Sequence, residues 1–167
     1  MNKIDTIIKK LDLSPHPEGG YFKETYRSVG EIKADSLSSD YKGSRSYSTC
    51  IYFLLTSNNF SAFHRIKQDE IWHFYDGSPL LLHIITPEGL YIKHRIGWDI
   101  INGEIPQFVV PGGCWFGAEV VADEAYSLVG CTVSPGFSFD DFELKPRNEL
   151  IELFPHLEKE ISHLTHD

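Results

Sequence analysis

The chain has 167 residues, 41% of them hydrophobic and 23% charged, and its twenty-four acidic against fifteen basic side chains leave a formal charge of −9. This is the composition of one soluble domain, long enough to bury roughly two-thirds of its unfolded surface. The acidic balance, without any basic patch carrying interleaved aromatics, argues against nucleic acid; no apolar run reaches the roughly 18–20 residues of a membrane span, and residues 1–10 lack the apolar core of a signal peptide. The cytoplasm is the expected compartment and a small molecule the expected ligand. Cys50, Cys114 and Cys131 each sit in an apolar, strand-like run, so they read as free buried thiols.

In chain order, Ile4, Ile7, Ile8 and Leu11 recur at helical spacing, and residues 1–13 are predicted as an amphipathic helix docked on the body. Ser14-Pro15-His16-Pro17 stops it, because two prolines cannot continue a helix. His16-Pro17-Glu18-Gly19-Gly20 reads as a tight turn whose glycines allow positive φ, or as the lip of a pocket. Residues 29–44 are polar and aperiodic, which predicts a long mobile loop, either a solvated insertion or a lid. Short strands are then predicted over 46–55, 60–66, 70–75, 80–86, 90–95, 108–110, 114–120 and 126–133. The words between them are turn words: Asp76-Gly77-Ser78-Pro79, Pro87-Glu88-Gly89, Asn102-Gly103 and Pro111-Gly112-Gly113. Many short strands with no helix between them predict an antiparallel sandwich or barrel over 20–144. Residues 137–144 alternate poorly, and Asp140 and Asp141 read as a solvated turn. Two short helices, 148–154 and 156–164, are predicted within 146–165, split at Pro155.

The chemistry concentrates in 60–77, F-S-A-F-H-R-I-K-Q-D-E-I-W-H-F-Y-D-G. In an unbroken strand His64 shares a face with Phe60, Ala62 and Ile66, because side chains alternate. Glu70, Trp72 and Phe74 share a face of the next strand, with His73 opposite. If the two strands pair as a hairpin around Lys67-Gln68-Asp69, an imidazole and a carboxylate meet in an apolar pocket. Glu70 is then an acid or base raised in pKa by Trp72 and Phe74, or a structural partner for His64 or Arg45. Cys114 and Phe116 share parity, and Phe116 with Trp72 and Phe74 could stack on a ring. The candidate catalytic residues are therefore His64 and Glu70, and the candidate ligand-binding residues Phe60, Ala62, Trp72, Phe74, Cys114 and Phe116.

These spacings are similar to the two cupin motifs. His64, Glu70 and Gly77 hold the places of the first, and Val110-Pro111-Gly112-Gly113-Cys114-Trp115-Phe116 resembles the second, with Ile66 and Phe116 where further metal-binding histidines would fall. H-P-E-G-G-Y-F (16–22), H-R-I-K-Q-D-E-I-W-H-F (64–74), V-P-G-G-C-W-F-G-A (110–118) and S-P-G-F-S-F-D-D-F (134–142) resemble the cupin-5 family over nearly the whole chain. The resemblance implies a single all-β domain, a double-stranded β-helix (cupin jelly roll) with an N-terminal helix and short C-terminal helices. It also implies a homodimer, and a pocket like that of the nucleotide-sugar epimerases sharing the fold. A mononuclear site in this fold takes three or four ligands, and only His64 and Glu70 hold such places, so neither a metal nor another cofactor is expected. The expected function is binding of a small polar or carbohydrate-like metabolite, with His64 as general base of a metal-independent epimerase or isomerase. Two alternatives stay open: a metal-dependent oxygenase or isomerase with His64 and Glu70 as ligands, and a non-enzymatic binding or storage barrel.

Overall fold

The computed structural model describes residues 2–166. Helix α1 (Lys3–Lys10) is capped by Asn2, whose side-chain oxygen accepts the Asp5 amide. Its stripe of Ile4, Ile7, Ile8 and Leu11 packs on Leu13, Leu54 and Tyr126. The strands follow: β1 (Ser14–Pro15), β2 (Tyr21–Arg27), β3 (Glu31–Ile32), β4 (Arg45–Ser46), β5 (Thr49–Thr56), β6 (Phe60–Arg65) and β7 (Asp69–Gly77). Then come β8 (Leu80–Ile85), β9 (Tyr91–Ile96), β10 (Gln107–Val110), β11 (Trp115–Val120), β12 (Tyr126–Ser134) and β13 (Glu143–Leu144). Helices α2 (Arg147–Leu153) and α3 (Glu158–His163) close the chain, joined by a 3-10 turn at Pro155–Leu157. No helix among the described residues is long and apolar enough to cross a membrane.

Two antiparallel sheets face each other, one in the order β1-β2-β5-β12-β7-β10 and the other β13-β6-β11-β8-β9. Between them lie Phe53, Leu55, Ile66, Trp72, Phe74, Leu82, Phe116 and Val129, all buried. Behind the five-stranded sheet, Leu150, Phe154, Leu157 and Ile161 of the C-terminal helices pack on Phe63, Ile85 and Trp115. This is the layered jelly-roll arrangement that alternating strands with turn words call for.

Four expectations need correction. First, β6 and β7 are not a hairpin. β6 pairs with β11 and β13, β7 with β12 and β10, and residues 66–68 carry the chain from one sheet to the other. His64 and Glu70 therefore approach across the space between sheets.

Second, the alternation of β6 breaks. Phe116 opposes His64 and Ala118 opposes Ser61, so Ala62 and Phe63 together face Gly117 in a β-bulge. The bulge turns Phe60 and Phe63 outward to the helices and Ser61 inward. A Cβ at Gly117 would lie 2.8 Å from the Ser61 carbonyl oxygen, which is why a residue without a side chain stands there.

Third, residues 29–44 are not an unstructured loop. β3 pairs with β4, a 3-10 turn spans Ala34–Ser36, and Tyr41 lies under both Arg45 and Lys67. Nor is Asp141 solvated. It is buried and takes both Arg45 Nε and Nη2 (2.7 and 2.8 Å) as well as the Gln68 amide (2.8 Å). A bidentate guanidinium satisfies a buried carboxylate that a turn would have left to water.

The loop that follows β1 is pressed against β6. Gly19 has φ +111°, and a Cβ there would fall 2.0 Å from the Phe60 carbonyl oxygen. Gly19→Ala is therefore expected to cost about 2–4 kcal/mol, from a forbidden φ and a backbone clash together. Urea unfolding at neutral pH measures it, and a loss under about 1 kcal/mol would contradict this account.

Candidate active site

A cavity of about 540 Å³ opens between the sheets, within the range of small-molecule sites. Its apolar walls include Phe22 of β2, Ile51 and Phe53 of β5, Ile66, and Val133 of β12. Its polar groups sit deep. β2 enters through His16-Pro17-Glu18-Gly19-Gly20, and this tight turn delivers both His16 and Glu18 to the cavity.

His64 is the centre of the cluster. Its Nδ1 lies 2.7 Å from the Ala62 carbonyl oxygen, and its Nε2 lies 2.9 Å from Glu18 Oε2. A carbonyl only accepts, so Nδ1 carries hydrogen; a carboxylate also accepts, so Nε2 carries one too. The ring is thus an imidazolium, held between the rings of Phe116 and Phe142 at 4.1 and 5.5 Å. Burial opposes its charge, but Glu18 and then Glu70 outweigh burial and raise its pKa. Burial likewise pushes the Glu18 carboxyl up, yet the His64 charge and hydrogen bond and the Ser61 hydroxyl, which donates to Oε1 at 2.8 Å, hold it below the usual range.

His16 differs. Its Nδ1 accepts the Glu18 amide at 3.3 Å, which places its hydrogen on Nε2. Burial among Phe22, Phe53 and Phe142 lowers its pKa against the pull of Glu18, with the His64 charge adding to the drop, so it stays neutral. Among the described residues Glu70, on β7, has no ion-pair partner of its own. Burial pushes its carboxyl up to about 7, with the His64 charge opposing and the Glu18 charge adding. The Cys131 thiol lies beside it and is itself raised by burial and by Glu70.

The rim is built by the segments around β3 and β13. Arg27 is clamped to Glu24 (2.9 and 2.8 Å), and Arg45 is tied to Asp141, while Lys42, Glu31, Ser44 and the half-exposed Phe139 also line it.

Of the residues singled out from sequence, His64 and Glu70 line this cavity. Phe60 lies outside it, stacked on His166, and Ala62 contributes its carbonyl to His64. Trp72, Cys114 and Phe116 are core, with Trp72 edge-on to Phe53 and Phe116; Phe74 packs edge-on to Trp98. Glu70 does not pair with Arg45. Ser61 and Cys131 were not foreseen as part of a site, and His16 and Glu18 only in the alternative reading of their turn as the lip of a pocket. The signal for the last two was the Glu-Gly-Gly word itself, a carboxylate beside glycines that let backbone approach closely.

A metal does not fit these residues. Ile66 and Phe116 offer no donor, both His64 nitrogens are engaged, and among the described residues no three His, Cys, Asp or Glu side chains are grouped to hold one ion.

Two facing sheets around such a pocket define a cupin. The sequence from 5 to 145 matches the family model for the Cupin superfamily (DUF985), and the chain belongs to that family, Cupin_5. It is 32% identical over 162 residues to the uncharacterized protein YML079W of Saccharomyces cerevisiae, covering 91% of this chain and 80% of that one. Among solved structures, protein SO0799 from Shewanella oneidensis matches at 40% identity and TM-score 0.89, over 99% of each chain. A hypothetical protein from Leishmania major matches at 37% and 0.91, over 99% of this chain and 100% of its own. Oxalate decarboxylase from Bacillus subtilis shares the fold alone, at 16% identity and TM-score 0.53 over 90% of this chain and 36% of its own.

The cluster makes stability depend on pH in two directions. Glu70 binds its proton more tightly folded than unfolded, so the fold loses up to about 3 kcal/mol as pH rises from 4.5 to about 7. Glu70→Gln removes that loss, so its stability relative to wild type should climb across this interval. The Glu18–His64 pair acts oppositely at its two ends. Glu18 stabilises above the ordinary carboxylate pKa and ceases to as pH falls through its lowered value. His64 stabilises below 6.5 and ceases to as pH rises through its raised value. Urea unfolding of wild type and Glu70→Gln at several pH values reads the difference, and parallel curves would disprove the assignment.

Proposed function

We propose that this cupin binds a small, uncharged, polyhydroxylated carbonyl compound and moves a proton at the carbon beside the carbonyl, as an epimerase or isomerase does, with Glu70 as the acid–base group. The observation that carries this reading is the inequality of the two buried carboxyls. Glu18 is locked as a carboxylate by His64 and Ser61, whereas Glu70 keeps its proton up to about pH 7, is paired with no cation among the described residues and has the Cys131 thiol beside it. A group titrating near the working pH exchanges protons most effectively. His64, with both nitrogens already donating, is a poor base; it supplies positive charge instead.

The step balances with residues of this chain alone. The Glu70 carboxylate takes the carbon-bound proton, the electron pair of that bond moves toward the carbonyl oxygen, and His16 Nε2–H donates a hydrogen bond to the oxyanion. A neutral imidazole suits this role because its N–H is closer in acidity to an enediol than an imidazolium is. The proton then returns from Glu70: to the opposite face of the same carbon for epimerisation, once the enediolate has turned over against the carboxyl, or to the neighbouring carbon for isomerisation, with the hydroxyl proton of that carbon passing to the former carbonyl oxygen. The His64 imidazolium stabilises the negative charge through space.

The charges along the wall support a neutral ligand. The cations Arg27, Lys42, Arg45 and His64 are met by the anions Glu18, Glu24, Glu31 and Asp140. Hydroxyl groups suit the rim, where Ser44, Ser46 and Ser138 stand beside the aromatic ring of Phe139.

Incubation in D2O with a panel of aldoses and ketoses, read by loss of the proton beside the carbonyl in NMR spectra, tests the reaction. Exchange should rise with pH through about 7 and fall about 100-fold or more in Glu70→Gln. His16→Phe should lower it about 10- to 100-fold through lost oxyanion stabilisation. Exchange surviving in Glu70→Gln, or no exchange with any member of the panel, would refute the reading.

A further inference from the structure

The bulge in β6 that turns Ser61 and His64 inward is held from both sides. From inside, the Ala62 amide donates to the Glu18 carbonyl at 2.8 Å. From outside, the Phe63 amide donates to the carbonyl of Leu164, the residue after α3, at 2.9 Å. Gly117 faces both bulge residues at once, so the strand ladder cannot satisfy both of these buried N–H groups. An unsatisfied buried amide is costly, so without the Leu164 carbonyl this backbone geometry is disfavoured.

The segment bearing Leu164 is in turn fastened by side chains. Glu119 of β11, directly across from Phe60, takes His163 Nε2 on one carboxylate oxygen (2.8 Å) and His83 Nε2 on the other (3.1 Å). His83 is buried and fixed through Nδ1 to the Tyr91 hydroxyl at 2.7 Å. On the far side, Arg147 of α2 donates to the Thr165 hydroxyl and carbonyl at 3.1 and 2.9 Å. No part of this network touches the cavity.

We infer that the C-terminal segment is a positioning element for the site: the Leu164 carbonyl sets the β6 bulge that aims Ser61 and His64 at Glu18, and the Glu119 carboxylate, gripping His83 and His163, latches that segment in place. His163 and Glu119 are thus positioning residues that act through the backbone of Phe63. The inference rests on the geometry of β6 and stands apart from the reaction assigned to Glu70.

Two-dimensional NMR of the full chain tests it. In His163→Ala the Phe63 amide should exchange with solvent about tenfold faster or more, and the ring nitrogens of His64 should shift and titrate at lower pH as the contact with Glu18 loosens. Thr165→Val, which removes the hydroxyl bond to Arg147 and leaves the carbonyl one, should give the same pattern at smaller amplitude. His163→Gln, whose amide still donates to Glu119, should restore both signals. Unchanged Phe63 and His64 signals would overturn the inference. So would an equal rise in exchange across β8 and β9, which marks a loss of global stability instead.

Discussion

The cavity depends on one buried ion pair. Taking a carboxylate and an imidazolium out of water costs several kcal/mol each, and their attraction repays that only if the remaining hydrogen-bonding capacity is also filled. Here it is: His64 spends one N–H on Ala62 and the other on Glu18, and Glu18 takes Ser61 on its second oxygen. The charge on Glu18 then bears on every neighbour. It adds to the burial that keeps Glu70 protonated, and at His16 its upward pull is outweighed by burial, so that ring stays neutral. One fixed pair thereby sorts four titratable groups into two charged and structural, and two capable of taking part in chemistry.

Holding that pair requires three separate pieces of chain at one point. The loop 16–20 brings Glu18, β6 brings Ser61 and His64, and β7 brings Glu70 from the opposite sheet. Two of these pieces need a local departure from regular structure. Gly19 takes positive φ against the Phe60 carbonyl, and Gly117 leaves room for the bulge. The outer layer of helices is no mere cover, since its last carbonyl completes the backbone of the bulge.

Membership in the cupins fixes the barrel and leaves the chemistry open, as shared folds generally do. The chain keeps the His and Glu of the first cupin motif but has Ile66 and Phe116 where donors would complete a metal site. The same frame is then filled by acid–base groups in an apolar wall. The proton transfer proposed above uses these groups, with the second histidine of the cluster drawn from the N-terminal loop instead of the barrel motifs.

Periodicity and turn words were enough to determine the class of fold. Period-two runs with Gly, Pro and Asn between them can bury their faces only as packed antiparallel sheets, and the Ile4–Leu11 stripe can only dock as a helix. The sequence also singled out His64 and Glu70, because a histidine and a glutamate on apolar faces are conspicuous. It did not reveal which residues stand beside them. Strict alternation put Phe60 and Ala62 with His64, but one bulge reverses the facing of every side chain before it, and a bulge is settled by cross-strand register. Burial of Asp141 against Arg45, across 96 positions, and convergence of Glu18 on His64 are likewise contacts between distant segments. Only the folded chain decides them, because charge pairing in a low-dielectric interior depends on separations that no local pattern encodes.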